Sequence, residues 1–126
     1  MSPKDAMDRF LSERKAEVAK STLQNNRYAL RHFTEWAESE GLEDISELDG
    51  FHIHDFKLYR RKEGVNELTL RNNLSALRVF IKWLESMGVV EDVSENIIMP
   101  SPDEVARTDR IEPETAEEIL IYLQKF

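Results

Sequence analysis

The chain contains two copies of one amphipathic segment, and this internal repeat constrains its fold more than any other feature. Residues 22–41 have the sequence TLQNNRYALRHFTEWAESEG, and residues 69–88 have the sequence TLRNNLSALRVFIKWLESMG. Twelve of the twenty positions are identical at an offset of 47 residues, which chance does not explain. The sequence leaves open whether duplication or similar packing demands produced the match.

Each copy is predicted to form a helix with one face in the core. A threonine, Thr22 or Thr69, precedes the apolar pattern as a candidate N-cap, and a glycine, Gly41 or Gly88, follows it where a left-handed residue is favoured. Apolar side chains recur between these signals at helical spacing. The predicted core residues of the two helices are Leu23, Leu30, Phe33, Trp36 and Ala37 in the first copy and Leu70, Leu74, Leu77, Ile81, Trp83 and Leu84 in the second.

Two further helices are predicted, one before each copy. The first covers residues 3–17, with Ser2 as its cap and proline at its first position, and the second covers residues 50–63, with Asp49 as its cap. Their predicted core residues are Met7, Phe10, Leu11, Val18, Ile53, Phe56 and Leu58. The predicted fold class is therefore all-α, a four-helix orthogonal bundle of two helix–loop–helix units, 3–41 and 50–88.

The chain changes character after residue 88, where the helical pattern stops. Residues 89–112 are acidic, contain two prolines and are predicted to be an extended linker anchored by short apolar pairs, Val89-Val90 and Ile97-Ile98. A short C-terminal helix is predicted at 113–125, opened by proline and acids at its positive end. We expect residues 1–88 to form the helical domain and residues 113–126 to be the first helix of a truncated second domain.

Composition excludes several functional classes. The absence of cysteine excludes disulfides and thiolate metal sites. His52 and His54 lie two residues apart, which points them to different helix faces, so we expect no metal and no cofactor. No apolar run reaches the roughly 20 residues needed to cross a bilayer, and no signal peptide opens the chain, so we expect a cytoplasmic protein without a membrane partner.

The uneven distribution of charge changes what the net charge implies about partners. A net charge of −8 argues at first against a polyanion partner. The acids are, however, concentrated in residues 35–55 and 89–126, whereas residues 1–34 and 56–88 are net positive. The two repeat copies therefore begin in basic parts of an acidic chain.

Each predicted repeat helix carries a row of basic and polar side chains beside its core face. One such row is usually a solvated helix face, but two matching rows in an acidic protein favour the major groove of duplex DNA, where Arg, Asn and Gln read bases and Lys or Thr holds phosphate. Asn26 and Asn73 fall within the apolar arc, so we expect them to form buried hydrogen bonds that tie helix to loop rather than to contact DNA. The predicted DNA-binding residues are Lys20, Thr22, Gln24, Asn25, Arg27, Arg31, Thr69, Arg71, Asn72, Ser75, Arg78 and Lys82.

The second copy and its surroundings resemble a known family. Residues 68–84, LTLRNNLSALRVFIKWL, resemble the T-x-x-x-x-L-S-A-L-R-x-F-x-x-x-L helix of tyrosine recombinases of the Xer and phage-integrase type. The first copy resembles an earlier helix of that family through Ser21-Thr22, Tyr28, Leu30 and Phe33. The resemblance covers residues 5–100, although the Asn-Pro expected after the last helix appears only as Asn96 and a displaced Pro100.

This resemblance implies an N-terminal core-binding (SAM-like) domain that clamps one side of a recombination site. Its partners would be double-stranded DNA and other recombinase protomers on the same site, without a small-molecule substrate. Residues 110–118 resemble the entry to the family's catalytic domain, whose arginines, H-x-x-R element and tyrosine nucleophile would lie beyond Phe126. The chain itself would then be no enzyme, although the full-length protein would be a DNA strand-transfer recombinase.

Two alternatives stay open at this point. The chain could be a stand-alone helical interaction or regulatory module that pairs with a recombinase. It could also be an unrelated acidic four-helix structural domain.

Overall fold

Four α-helices make up most of the computed structural model, which describes residues 1–99. They are α1 (Pro3–Arg14), α2 (Lys20–Ser39), α3 (Gly50–Lys62) and α4 (Glu67–Ser86). Two 3₁₀ turns, Ile45–Glu47 and Val93–Asn96, complete the regular structure of this part of the chain, which contains no strand. The predicted all-α helical bundle is confirmed, while residues 100–112 of the predicted linker and the predicted helix 113–125 lie outside the described residues.

The starts of α1 and α3 follow the predicted capping signals. The Ser2 hydroxyl accepts a hydrogen bond from the backbone N–H of Asp5 at 3.1 Å, and Pro3 is the first helical residue. The Asp49 carboxylate accepts from the backbone N–H of His52, whose Nδ1 accepts from the backbone N–H of Asp49, both at 3.1 Å. These reciprocal bonds satisfy backbone donors that the first turn leaves unpaired.

The predicted caps of α2 and α4 are wrong. Helix α2 begins at Lys20 after Ala19, which has no side-chain acceptor, so its start has no side-chain cap. Helix α4 begins after Asn66, whose side chain accepts from the backbone N–H of Thr69 at 2.7 Å. Thr22 and Thr69 are therefore each the third residue of a helix.

The ends of α2 and α4 are alike. Gly41 has φ +89° and Gly88 has φ +74°, the left-handed conformation that the sequence predicts. Beyond each glycine the next N–H bonds back into the helix, from Leu42 to the Ala37 carbonyl and from Val89 to the Leu84 carbonyl, both at 2.9 Å. The two copies of the repeat thus end in the same turn.

One core joins all four helices. Phe10 of α1 contacts Phe80 of α4 with ring centroids 5.3 Å apart, and Phe33 of α2 contacts Phe56 of α3 at the same distance. Most of the predicted core residues are buried, although Val18, Leu23 and Trp83 are only partly so. These buried residues are Met7, Phe10, Leu11, Leu30, Phe33, Trp36, Ala37, Ile53, Phe56, Leu70, Leu74, Leu77, Ile81 and Leu84.

Leu58 is an exception to the predicted core, because its side chain is 49% exposed. Helix α3 faces the core with Ile53, Phe56 and Arg60. Leu58 lies two residues from both Phe56 and Arg60, which places it on the opposite side of the helix at about 100° per residue. Helix α1 also ends at Arg14, three residues earlier than predicted.

The segment after α4 folds back on the bundle instead of running fully extended. Its 3₁₀ turn packs against α3 and α4, with Val90, Val93 and Ile97 buried. The Glu85 carboxylate accepts hydrogen bonds from the backbone N–H and the hydroxyl of Ser94 at 2.9 and 2.8 Å. Ile98, predicted to be an anchor, is 73% exposed.

Candidate nucleic-acid interface

Helices α2 and α4 lie against each other and form an uncharged groove of about 460 Å³. Most positions of the repeat that face this groove do so in both copies, so its two walls carry similar side chains. No charged side chain lines it. The lining residues are Thr22, Asn25, Asn26, Tyr28 and Ala29 of α2 and Thr69, Asn72, Asn73, Ser75, Ala76 and Val79 of α4.

The groove brings together five of the twelve residues predicted to bind DNA. These are Thr22, Asn25, Thr69, Asn72 and Ser75. The predicted residues that do not line it still lie on α2 and α4, where they are exposed apart from the half-buried Arg71. These are Lys20, Gln24, Arg27, Arg31, Arg71, Arg78 and Lys82.

The basic rows lie beside the groove on each helix. Arg31 and Arg78 are about 160° around the helix from the groove residues Ala29 and Ala76, but only about 60° from the groove residues Tyr28 and Ser75, at 100° per residue. The neutral groove and the two cationic rows are therefore neighbouring surfaces of the same helix pair.

Asn26 and Asn73, which we did not predict to be site residues, lie in the wall of the groove. Arg14 Nε donates to Asn26 Oδ1 at 2.8 Å, and Arg60 Nε donates to Asn73 Oδ1 at 3.0 Å. Both arginines lie in the last turn of the preceding helix. The predicted burial is right for Asn73, but each asparagine ties its helix to another helix and not to a loop. An arginine 12 or 13 residues before each repeated asparagine is the sequence signal for this contact.

Arg60 is the centre of a network that runs from the core to the surface, because its buried side chain also reaches the exposed Glu63. Only 3% of Arg60 is exposed, and its Nη1 donates to Glu63 Oε1 at 2.9 Å. The Tyr59 hydroxyl donates to the other carboxylate oxygen at 3.0 Å. The hydrogen bond from Arg60 is the main reason that the pKa of Glu63 lies below its ordinary value. Conversely, the bond to Glu63 raises the pKa of Tyr59.

His32 of α2 lies close to this network. Burial, and next the positive charge of Arg60, lower its pKa from the ordinary value of 6.5. Its ring makes an edge contact with the ring of the groove residue Tyr28, with centroids 4.7 Å apart. His32 is therefore mainly neutral at pH 7, and it adds no positive charge beside the groove.

The described part of the chain contains neither a metal-binding cluster nor a membrane-spanning helix. Among residues 1–99, no three His, Asp or Glu side chains come close enough together to hold a metal ion. No helix between these residues is both long enough and apolar enough to cross a membrane.

Comparison with known proteins identifies the family. The family model for the phage integrase N-terminal SAM-like domain matches residues 5–88. The crystal structure of the N-terminal domain of a phage integrase/site-specific recombinase from Haloarcula marismortui is similar, with 32% sequence identity and a TM-score of 0.76. This similarity covers 79% of the present chain and 97% of that chain. No curated protein matches the sequence significantly. Because the family match includes all four helices and both copies of the repeat, the chain belongs to the phage integrase N-terminal SAM-like domain family.

Proposed function

We propose that this chain binds duplex DNA in a sequence-specific manner as the clamp half of a site-specific tyrosine recombinase, and that it supplies no catalytic residue. Its family supports a recombinase-related DNA-binding role. The observation that carries the finer proposal is the pairing of α2 and α4, which places equivalent polar residues of the repeat around one groove. In the assembled recombinase, other protomers would bind the same DNA site, and the protein would act in the cytoplasm.

The charges of the helix pair favour a polyanionic ligand despite the acidic composition of the chain. Arg27, Arg31 and Arg78 form no ion pair within residues 1–99, so their charges are not neutralised there. The acidic block 35–55 begins in the last turns of α2 and continues into the following loop and α3, away from the N-terminal half of α2 that lines the groove. DNA phosphates can therefore approach the basic rows without meeting a carboxylate in the groove.

The exposed polar residues offer the contacts that sequence recognition needs. Asn25 and Asn72 are exposed at equivalent positions, and a free carboxamide can pair with both polar atoms of the adenine edge. The two copies differ at other positions, where Gln24 corresponds to Arg71 and Tyr28 to Ser75. We expect these differing positions to read different bases in the two halves of the contact.

The salt dependence of duplex binding tests this proposal. Fluorescence anisotropy would measure the Kd of the chain for a labelled 40-bp duplex between about 50 and 200 mM KCl. The double variant Arg31→Ala/Arg78→Ala should weaken binding by about tenfold or more, and should lower the salt slope by about one per phosphate contact that is lost. Circular dichroism would confirm that the variant folds, because both side chains are exposed.

A charge-matched variant separates this surface from a general effect of net charge. Lys4→Ala/Arg9→Ala removes the same charge from exposed positions of α1. Equal losses in the two double variants, or an unchanged Kd in the first, would contradict the proposed interface. The protein-interaction alternative also predicts an unchanged DNA affinity in both variants.

A further inference from the structure

The geometry points to a role for Arg14 and Arg60 that rests on the proposed function: they hold Asn26 and Asn73 as hydrogen-bond donors to the phosphodiester oxygens of DNA. Each arginine is a positioning residue, because it contacts the asparagine but does not itself line the groove. The asparagines would be the groups that touch the nucleic acid.

The chemistry of arginine fixes the orientation of both carboxamides. Guanidinium has donors and no acceptor, so the asparagine atom that faces Arg14 Nε or Arg60 Nε must be the oxygen. Each amide NH₂ then points away from the guanidinium. The repeat thus presents two amide donors from equivalent positions of α2 and α4.

The NH₂ group of Asn73 lacks a hydrogen-bond partner in the described part of the chain. The side chain is 4% exposed, and its single hydrogen bond within residues 1–99 is made through Oδ1. Leaving a buried donor unpaired is costly, so such a group in a groove wall indicates a ligand that brings an acceptor. Asn26, in the opposite wall, likewise uses only its oxygen within this part of the chain.

This orientation excludes one of the two usual contacts of asparagine with DNA. Bidentate recognition of adenine requires both the oxygen and the NH₂ group of the carboxamide. Arg14 and Arg60 already occupy the oxygens, so Asn26 and Asn73 cannot read adenine in this way.

The surroundings favour phosphate over the other acceptors of DNA. A phosphodiester group carries acceptors only, which suits a wall of oriented donors. Thr22 and Thr69, in the first turns of α2 and α4, line the same groove, and helix N-termini favour anions. No carboxylate opposes an anion there.

Aspartate substitutions test the assignment with little change in shape. Asn26→Asp and Asn73→Asp keep an oxygen for the arginine but replace the NH₂ donor with an acceptor. Binding would be measured by anisotropy on two labelled 30-bp duplexes, one with only A·T pairs and one with only G·C pairs. Each variant should weaken binding to both duplexes by about tenfold, since a charge-assisted contact becomes a repulsion. Ser12→Asp adds the same charge at an exposed position of α1 and should change the Kd by less than about twofold.

Two further measurements keep the test decisive if one variant folds poorly. Circular dichroism melting would compare the fold of each variant with that of the parent chain. Asn26→Ala removes the donor from the half-buried site without adding charge and should weaken binding several-fold.

Each outcome supports or overturns the assignment. A loss confined to one of the two duplexes would overturn it in favour of a contact with the bases of that duplex, and a loss no larger than that of Ser12→Asp would overturn any contact. If Arg31→Ala/Arg78→Ala weakens binding while the asparagine variants do not, only this inference fails. If the parent chain binds neither duplex, the proposed function fails with it.

Discussion

Replacing Arg60 with methionine tests the network behind the groove. Methionine retains an unbranched apolar chain but removes the guanidinium, so Asn73 Oδ1 loses its donor inside the bundle. Glu63 is exposed and can be hydrated instead. A hydrogen bond to a charged group contributes about 1.5–3 kcal/mol, and part of this is offset by removing a buried charge, so we expect a loss of about 2 kcal/mol. For a domain of roughly 100 residues this corresponds to a fall in Tm of about 8–16 °C.

A double-mutant cycle shows whether the loss comes from the pair itself. Urea unfolding would be measured for Arg60→Met, for Asn73→Leu and for the double variant, with an expected coupling free energy of about 1–3 kcal/mol. Arg27→Met, at an exposed position of α2, is the matched control and should stay within about 0.5 kcal/mol of the parent chain. Strict additivity, or a loss in Arg60→Met as small as that of the control, would refute the reasoning.

Three further predictions concern other parts of the bundle. Gly88→Ala should lower the free energy of unfolding by about 1–2 kcal/mol, because Gly88 has φ +74° and no neighbouring atom lies near an added Cβ, so the loss comes from the backbone conformation alone. Gly88→Asn should lower the free energy of unfolding by less, and urea unfolding would measure both variants. The lowered pKa of His32 favours its neutral form in the folded state, so its contribution to stability is present above pH 6.5 and is lost as the pH falls through the folded pKa. His32→Gln should therefore reduce the difference in stability between pH 7.5 and pH 5. Leu58→Ser should change the free energy of unfolding by less than about 0.5 kcal/mol, because Leu58 is exposed. Ile53→Ser should lower it by more than about 2 kcal/mol, because Ile53 is buried, and equal effects of the two variants would contradict the exposure of Leu58.

The helices of this fold could be predicted because their apolar spacing is regular and glycine ends α2 and α4. The starts of α2 and α4 were harder to predict, because several polar residues precede each apolar pattern and any of them could be the cap. Asn66 caps α4: its side-chain oxygen accepts a hydrogen bond from the backbone N–H of Thr69, and the Thr69 side chain is not the cap. Leu58 shows that hydrophobicity alone does not identify a core residue. The buried face of α3 is the opposite one, where the charged Arg60 lies in the core.

The candidate site could be predicted only in part. Helical spacing places Arg31 and Arg78 in rows, and it places Asn26 and Asn73 near the core, without any knowledge of neighbouring helices. The groove depends on how α2 packs against α4, which a pattern within one helix does not determine. The partner of Asn73 lies on α3, and the spacing from arginine to asparagine differs by one residue between the two units. A search for strict repeats therefore misses this contact.

The packing of residues 89–99 fixes where the chain leaves the bundle. As a fully extended tether these eleven residues would span about 36–40 Å from Gly88. Instead Val90, Val93 and Ile97 hold the segment in place, and Lys57 Nζ donates to the Ile98 carbonyl at 3.0 Å beside α3. Residues 89–99 are thus held at one defined corner of the bundle, beside α3. Under the proposed function, this anchoring would confine the residues that follow to a smaller volume and so raise their local concentration near the bound duplex.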